Sequence, residues 1–133
     1  METPAIQSGL QLAFAIQLGV FGIVHLLRPE PLIQFYELLT AKREAGVVFI
    51  AMLSLVTGSL LVAFHNVWTG LPILLTVFGW AQLVKGIIYL LFPALGLQMF
   101  QKVTPGRANQ FRMPGIPLLI ISGLLFWHLW VNL

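Results

Sequence analysis

A chain of 133 residues that is 59% hydrophobic and 8% charged, with a mean hydropathy of +0.94, cannot present an ordinary soluble surface, because soluble domains carry charge on about a quarter of their positions. Its net charge of +3 comes from too few bases, set too close to apolar runs, to be a nucleic-acid footprint, so no nucleic-acid partner is expected. The absence of cysteine excludes disulfides, thiolate metal sites and thiol redox chemistry.

The first residues, "METPAIQSG", place an acid and no base ahead of the first apolar run. That is the wrong n-region for a secretory signal peptide, so the first helix is read as mature protein. A helix needs about 20 apolar residues to cross a hydrocarbon core of about 30 Å. Residues 7–27, 45–64, 72–92 and 114–131 meet that requirement, within a single domain spanning residues 1–133. Proline and glycine mark the ends: "RPEP" closes the first span, Gly70 and Pro72 open the third, Pro93 closes it, and "MPG" opens the fourth.

Between the first and second spans lie Arg28, Lys42 and Arg43; between the third and fourth lie Lys102, Arg107 and Arg112. The N-terminal segment, the short loop of residues 65–71 and the C-terminus have no Lys or Arg. Short basic loops stay in the cytoplasm, which predicts both connecting loops inside, both termini outside, and a multi-pass protein of a bacterial inner membrane. Trp68, Trp127 and Trp130 then fall near the outer interface, where indole rings prefer to sit. In the first inner loop, "PLIQFYELLT" puts Gln34 and Glu37 on one face and apolar side chains on the rest, the pattern of a short interfacial helix. "ALGLQMFQKV" in the second inner loop is similar.

The two inner loops belong to longer matching segments. "GIVHLLRPEPLIQFY" (residues 22–36) aligns without a gap on "GIIYLLFPALGLQMF" (residues 86–100), with Gly22 on Gly86, Pro29 on Pro93 and Gln34 on Gln98. Shared membrane composition explains the leucines more easily than it explains the glycine, proline and glutamine. The expectation is an all-α, four-helix transmembrane bundle of two parallel helical-hairpin repeats, related by a pseudo-two-fold axis along the membrane normal.

On the third span Phe78, Gln82, Lys85 and Tyr89 fall in one stripe at about 100° per residue, bordered by Gly79 and Gly86 and opposite Trp80. On the second, Ala51, Ser54, Thr57, Gly58 and His65 share a face; on the first, Gln7, Gln11, Ala15, Gly22 and His25 do. Small residues let membrane helices approach and polar groups bond across the contact, so these stripes are expected to face inward, either as packing seams or as a lined interior. Lys85 lies seven residues before Phe92, about 10 Å of helix rise from the inner end. It reads either as an inner-side anchor, with Glu44 the first partner to consider, or as a group that holds an anionic headgroup or substrate.

Toward the outside, His65 and Asn66 of "FHNVW" and His128 form a polar cluster, with Glu2 the one carboxylate on that side. Two histidines on different helices could serve as haem ligands, but they sit at different depths, and ordinary interfacial hydrogen bonding is the plainer reading. No paired carboxylates, H-x-x-x-H, Gly-rich phosphate loop or Ser–His–acid set is present. No enzyme, metal or resident cofactor is therefore expected.

The stretch "FHNVWTGLPILLTVFGWAQLVKGIIYLLFP" carries His65, Asn66 and Trp68, then Gly79 and Trp80, Lys85 and Gly86, and Pro93. In these residues the chain resembles a group of small, uncharacterised bacterial integral membrane proteins of four helices. The resemblance covers about a quarter of the chain. It implies a bacterial cytoplasmic membrane and carries no catalytic or binding residues. The function expected from sequence is a non-enzymatic accessory or scaffold subunit that packs in the lipid bilayer against itself, as a homo-oligomer, or against a larger membrane complex. A carrier of small solutes or lipid-like molecules using Lys85, Gln82 and Tyr89 is the alternative. A haem- or quinone-binding protein using His65, Asn66 and His128 is the less favoured one.

Overall fold

The computed structural model describes residues 3–133; Glu2 lies outside them. The chain forms α1 (Thr3–Leu27), α2 (Glu30–Ala41), α3 (Glu44–Phe64), α4 (Ile73–Leu91), α5 (Pro93–Phe100), α6 (Ala108–Arg112) and α7 (Gly115–Val131), with a 3-10 turn at Pro105–Arg107 before α6. The described residues contain no strand. Four helical runs are long and apolar enough to cross a membrane: α1, α3, α4 and the run Pro105–Val131 that ends in α7. The first begins four residues earlier than expected from sequence. Pro4 falls in its opening turn, where a missing N–H leaves no hydrogen bond unmade.

Each inner connection begins with a break before proline. The ring of a proline pushes the preceding residue out of the helical region, and Phe92, at φ −131° and ψ 68°, ends α4 so that Pro93 can start α5 at a first-turn position. Arg28 and Pro29 separate α1 from α2 in the same way. The Arg112 guanidinium secures that corner: Nη1 donates to the Leu26 carbonyl oxygen at 3.0 Å and Nη2 lies 3.8 Å from Glu30. Both are favourable partners at the electronegative end of α1 and the first turn of α2.

The helices pair as α3 with α4 and α1 with α7. Hairpins between α1 and α3, or between α4 and α7, were the sequence expectation; instead α1 and α3 touch only lightly. Small residues decide the pairing. A Cβ on Gly86 would lie 2.6 Å from the Leu55 backbone nitrogen, and one on Gly79 would lie 2.6 Å from Leu61 Cβ. In the other pair, a Cβ on Gly22 would meet Leu119 Cγ at 2.7 Å, and Ser122 Oγ donates to the Ala15 carbonyl oxygen at 2.6 Å. Without a hydrophobic drive between helices in lipid, close approach and such bonds are what hold a pair together.

Two apolar clusters form the core, the first tying the pairs to each other and the second packing α2 and α5 against α3 and α4. Ala15, Leu18, Leu61, Leu75 and Leu125 form one, with Phe14 and Phe78 packed against it. Leu39, Val47, Ile50, Leu97 and Phe100 form the other, at the end carrying α2 and α5, with Tyr36 and Tyr89 against it. The rings of Phe14 and Phe78 meet edge-on at 6.3 Å, and those of Tyr36 and Phe100 at 5.1 Å.

Candidate functional site

Where the two helix pairs diverge, a cavity of ≈310 Å³ opens between α1, α2, α3 and α4. Gln17 and His25 enter it from α1, Ser54 and Thr57 from α3, Gln82 and Lys85 from α4, and Tyr36 from α2. Phe21, Leu32, Phe35, Ile50 and Leu53 supply apolar wall. A rise of 1.5 Å per residue places Lys85 about 9 Å from the end of α4 next to α5, Gln82 about 13 Å, and Ser54 and Gln17 about 15 Å from the ends of their helices next to α2. The amides and hydroxyls therefore occupy the middle of the span.

Lys85 is half-buried and belongs to no ion pair among the described residues. Glu44, its expected partner, is not paired with it; the glutamate lies exposed in the first turn of α3, where a negative charge suits the helix N-terminus. The Tyr89 ring is the feature beside the ammonium, its centroid 5.9 Å from Nζ, within the reach of a cation–π contact. Tyr89 itself turns away from the cavity into the inner cluster, edge-on to Phe100 at 6.4 Å. Of the three residues that the sequence grouped on this helix, Gln82 and Lys85 line the cavity and Tyr89 does not.

The sequence stripes did not include Gln17 or Tyr36. Gln17 lies off the small-residue face of α1, and its signal was simply an amide inside an apolar run. Tyr36 was read as one apolar contributor to an interfacial helix, whereas its ring also packs on Phe100 and Phe111.

The outer residues do other work. His65 is fully buried one residue past α3. Thr76 has one hydroxyl proton, directed at the Val67 carbonyl oxygen 2.7 Å away, so its oxygen accepts from His65 Nδ1 at 3.3 Å. Nε2 then accepts from the Gln11 amide at 3.0 Å. Both imidazole nitrogens are used within the protein, and burial holds the ring below the ordinary histidine pKa. Asn66 Oδ1 accepts from the indoles of Trp68 and Trp80, at 3.0 and 3.2 Å.

His128 lies apart, on the wall of a second cavity of ≈440 Å³ shared with Gln7, Ser8, Thr69 and Asn132. His65 is not on that wall, so the two histidines do not converge on one site. No group of three or more His, Cys, Asp or Glu placed to hold a metal occurs among the described residues.

Replacing Asn66 with alanine is expected to release two exposed indole N–H groups to water and to lower stability by less than about 1 kcal/mol. A red-shifted tryptophan emission with little change in the unfolding midpoint is the signature; a large midpoint shift would show that the loop depends on Asn66 itself.

Of the residues singled out between Phe64 and Pro93, His65, Asn66, Trp68, Gly79, Trp80, Gly86 and Pro93 each have a local structural task. Lys85 belongs to no ion pair among the described residues and lines both the cavity and, with Trp80 and Tyr89, a separate groove along α4. Comparison of the chain with protein-family models, with curated proteins and with solved structures gives no match.

Proposed function

We propose that this chain is a non-enzymatic inner-membrane protein that binds, as a carrier does, a small amphipathic molecule between two structural repeats. The carrying observation is the convergence of Lys85, Gln82, Gln17, Ser54 and Thr57 on one cavity between the helix pairs. An ionisable group inside a span is expensive and tends to mark a ligand or ion path. Pockets of about 300–1,000 Å³ with a few converging polar groups are the usual form of small-molecule sites.

The repeat supports this reading. The residues of the Phe14–Phe78 contact are 64 positions apart, as are those of the Tyr36–Phe100 contact, and Gly22 and Gly86 have the same offset. Equivalent residues meet each other only at a two-fold axis. The close approach of Gly22 to Leu119 on α7 corresponds, at the same offset, to that of Gly86 to Leu55 on α3. Each repeat thus lends its first helix to the second helix of the other, and the cavity lies beside the axis. Carrier sites formed near the midplane, where internal repeats meet, follow this plan. Basic loops on the side of α2 and α5 orient that end to the cytoplasm and both termini outward.

The scaffold reading drew on the small-residue seams. Gly22, Gly58, Gly79, Gly86 and Gly115 are all spent on contacts inside the chain, which leaves little of that surface for a partner.

Native mass spectrometry of the protein, gently extracted from its own membrane, tests the proposal. A small non-protein mass should remain on the wild type and disappear from Thr57→Phe, whose added ring fills the cavity. A bare homo-oligomer, or a complex with a larger protein and no small mass, would favour a scaffold instead.

A further inference from the structure

We infer that the ligand is a monoanion on a single apolar body, one per chain, with its acidic head on Lys85 and Gln82. This inference rests on the reading of the cavity as a ligand site.

Charge is the first argument. The cavity wall carries one lysine, the His25 ring, whose Nδ1 bonds to the Phe21 carbonyl oxygen, and no Asp or Glu, and among the described residues no carboxylate pairs with Lys85. An ammonium in this setting needs a counter-charge, and the protein offers only the face of Tyr89. A ligand with a single negative charge brings the occupied site to neutrality; a neutral or cationic ligand leaves the ammonium uncompensated.

Hydrogen-bonding capacity points the same way. The lysine presents N–H donors and no acceptor, while a carboxylate or phosphodiester head only accepts. The amides of Gln17 and Gln82 and the hydroxyls of Ser54 and Thr57 can all donate toward the same head. Phe21, Ile50, Leu53 and Phe78 flank these groups, and Leu32 and Phe35 come from α2. An acid on Lys85 with its apolar body against these side chains matches that wall. A cavity of ≈310 Å³ is at the small end of ligand sites and admits one chain rather than two.

The repeat fixes the stoichiometry. Sixty-four positions before Lys85 stands Phe21, and before Gln82 stands Leu18. The equivalent place on the other side of the axis therefore has neither cation nor amide, so the pair of repeats builds one anion site rather than two.

Calorimetric titration of octanoate, methyl octyl phosphate (a phosphodiester with one charge) and 1-octanol into the full-length protein in phosphatidylcholine nanodiscs, corrected against empty nanodiscs, tests this. The wild type should bind an acid at one per chain, about 30-fold or more tighter than octanol. Whichever of octanoate and methyl octyl phosphate binds tighter identifies the head as carboxylate or phosphodiester. Lys85→Met should reduce both acids to the level of octanol without changing octanol, and Lys85→Arg should retain the preference for acid. Octanol binding as tightly as both acids to the wild type, or Lys85→Met retaining the preference, would overturn the inference while leaving the cavity a ligand site. Binding of none of the three would remove the ligand site itself. Should Lys85→Met fail to fold, the wild-type comparison alone decides.

Discussion

Leucine in place of Gly86 is expected to force α3 and α4 apart and to destabilise the protein by about 3–5 kcal/mol. The hydrogen of Gly86 faces backbone: a Cβ there would lie 2.6 Å from Leu55 N and 2.8 Å from Leu55 Cα. A flexible side-chain end could move aside, but a helix backbone cannot do so without translating the whole helix. Gly79 meets Leu61 two turns further along the same seam, so a shift at Gly86 also opens the contact there and the cluster of Leu61 and Leu75 behind it. In lipid the loss is not offset by a hydrophobic drive that would keep the helices together at larger spacing. Gly123→Leu is the matched control, since nothing lies within 4 Å of that position, and it should stay within about 0.5 kcal/mol of wild type. Unfolding in mixed detergent micelles, followed by circular dichroism, measures both. Equal midpoints for the two variants would mean that the α3–α4 seam is not what holds the pair. Gly22→Leu falls between them, because its nearest neighbour is the Leu119 side chain at 2.7 Å, with the Gly115 carbonyl oxygen at 3.0 Å behind it.

That seam also shows where the sequence stops being informative. The spans and their ends were legible because length, hydropathy and proline position act locally: Pro93 ends a helix whatever the rest of the chain does. The small-residue faces of α3 and α4 could be read as inward-facing by the same period. Which helix each face would meet could not, since glycines on one stripe fit any apolar neighbour. The offset of 64 residues equates α1 with α4 and α3 with α7. That offset fits α1–α3 and α4–α7 hairpins as well as it fits the α3–α4 and α1–α7 pairs that form. Lys85 and Gln82 stood out because an amine and an amide inside an apolar run are costly wherever they point. Tyr89 shares their helical face yet is drawn off by the bend at Phe92, which brings Gly96 of α5 against its ring. Gln17 escaped notice for the opposite reason, since it lies off the stripe that small residues define on α1.

His65 was assigned from sequence to an outer polar cluster with His128, and its position in the core leads to the second large effect. Replacing His65 with leucine is expected to cost about 2–3 kcal/mol: the Gln11 amide, 5% exposed, loses its partner in the buried network, and the Thr76 hydroxyl loses a donor. The effect should depend on pH in one direction only. Burial holds the folded imidazole below its ordinary value of 6.5, so between that value and the lowered folded one the unfolded chain binds a proton that the folded chain refuses. Stability contributed by neutral His65 is then complete above about pH 6.5 and declines as the pH falls through the folded value. The bonding explains the refusal. A protonated ring would direct Nε2–H at the amide nitrogen of Gln11, donor against donor, and relief requires the amide to turn over in a tightly packed core. No acid or base among the described residues bonds to the ring; its partners are Gln11 from α1 and Thr76 from α4. Thermal unfolding at pH 8 and pH 5 in the same detergent separates this group from His25 and His128, which both proteins retain. Wild type should lose more stability on acidification than His65→Gln, whose side chain can bond to Gln11 and Thr76 but does not titrate. Parallel profiles for the two would show that the histidine is protonated without penalty, and the network would then be one that turns over freely.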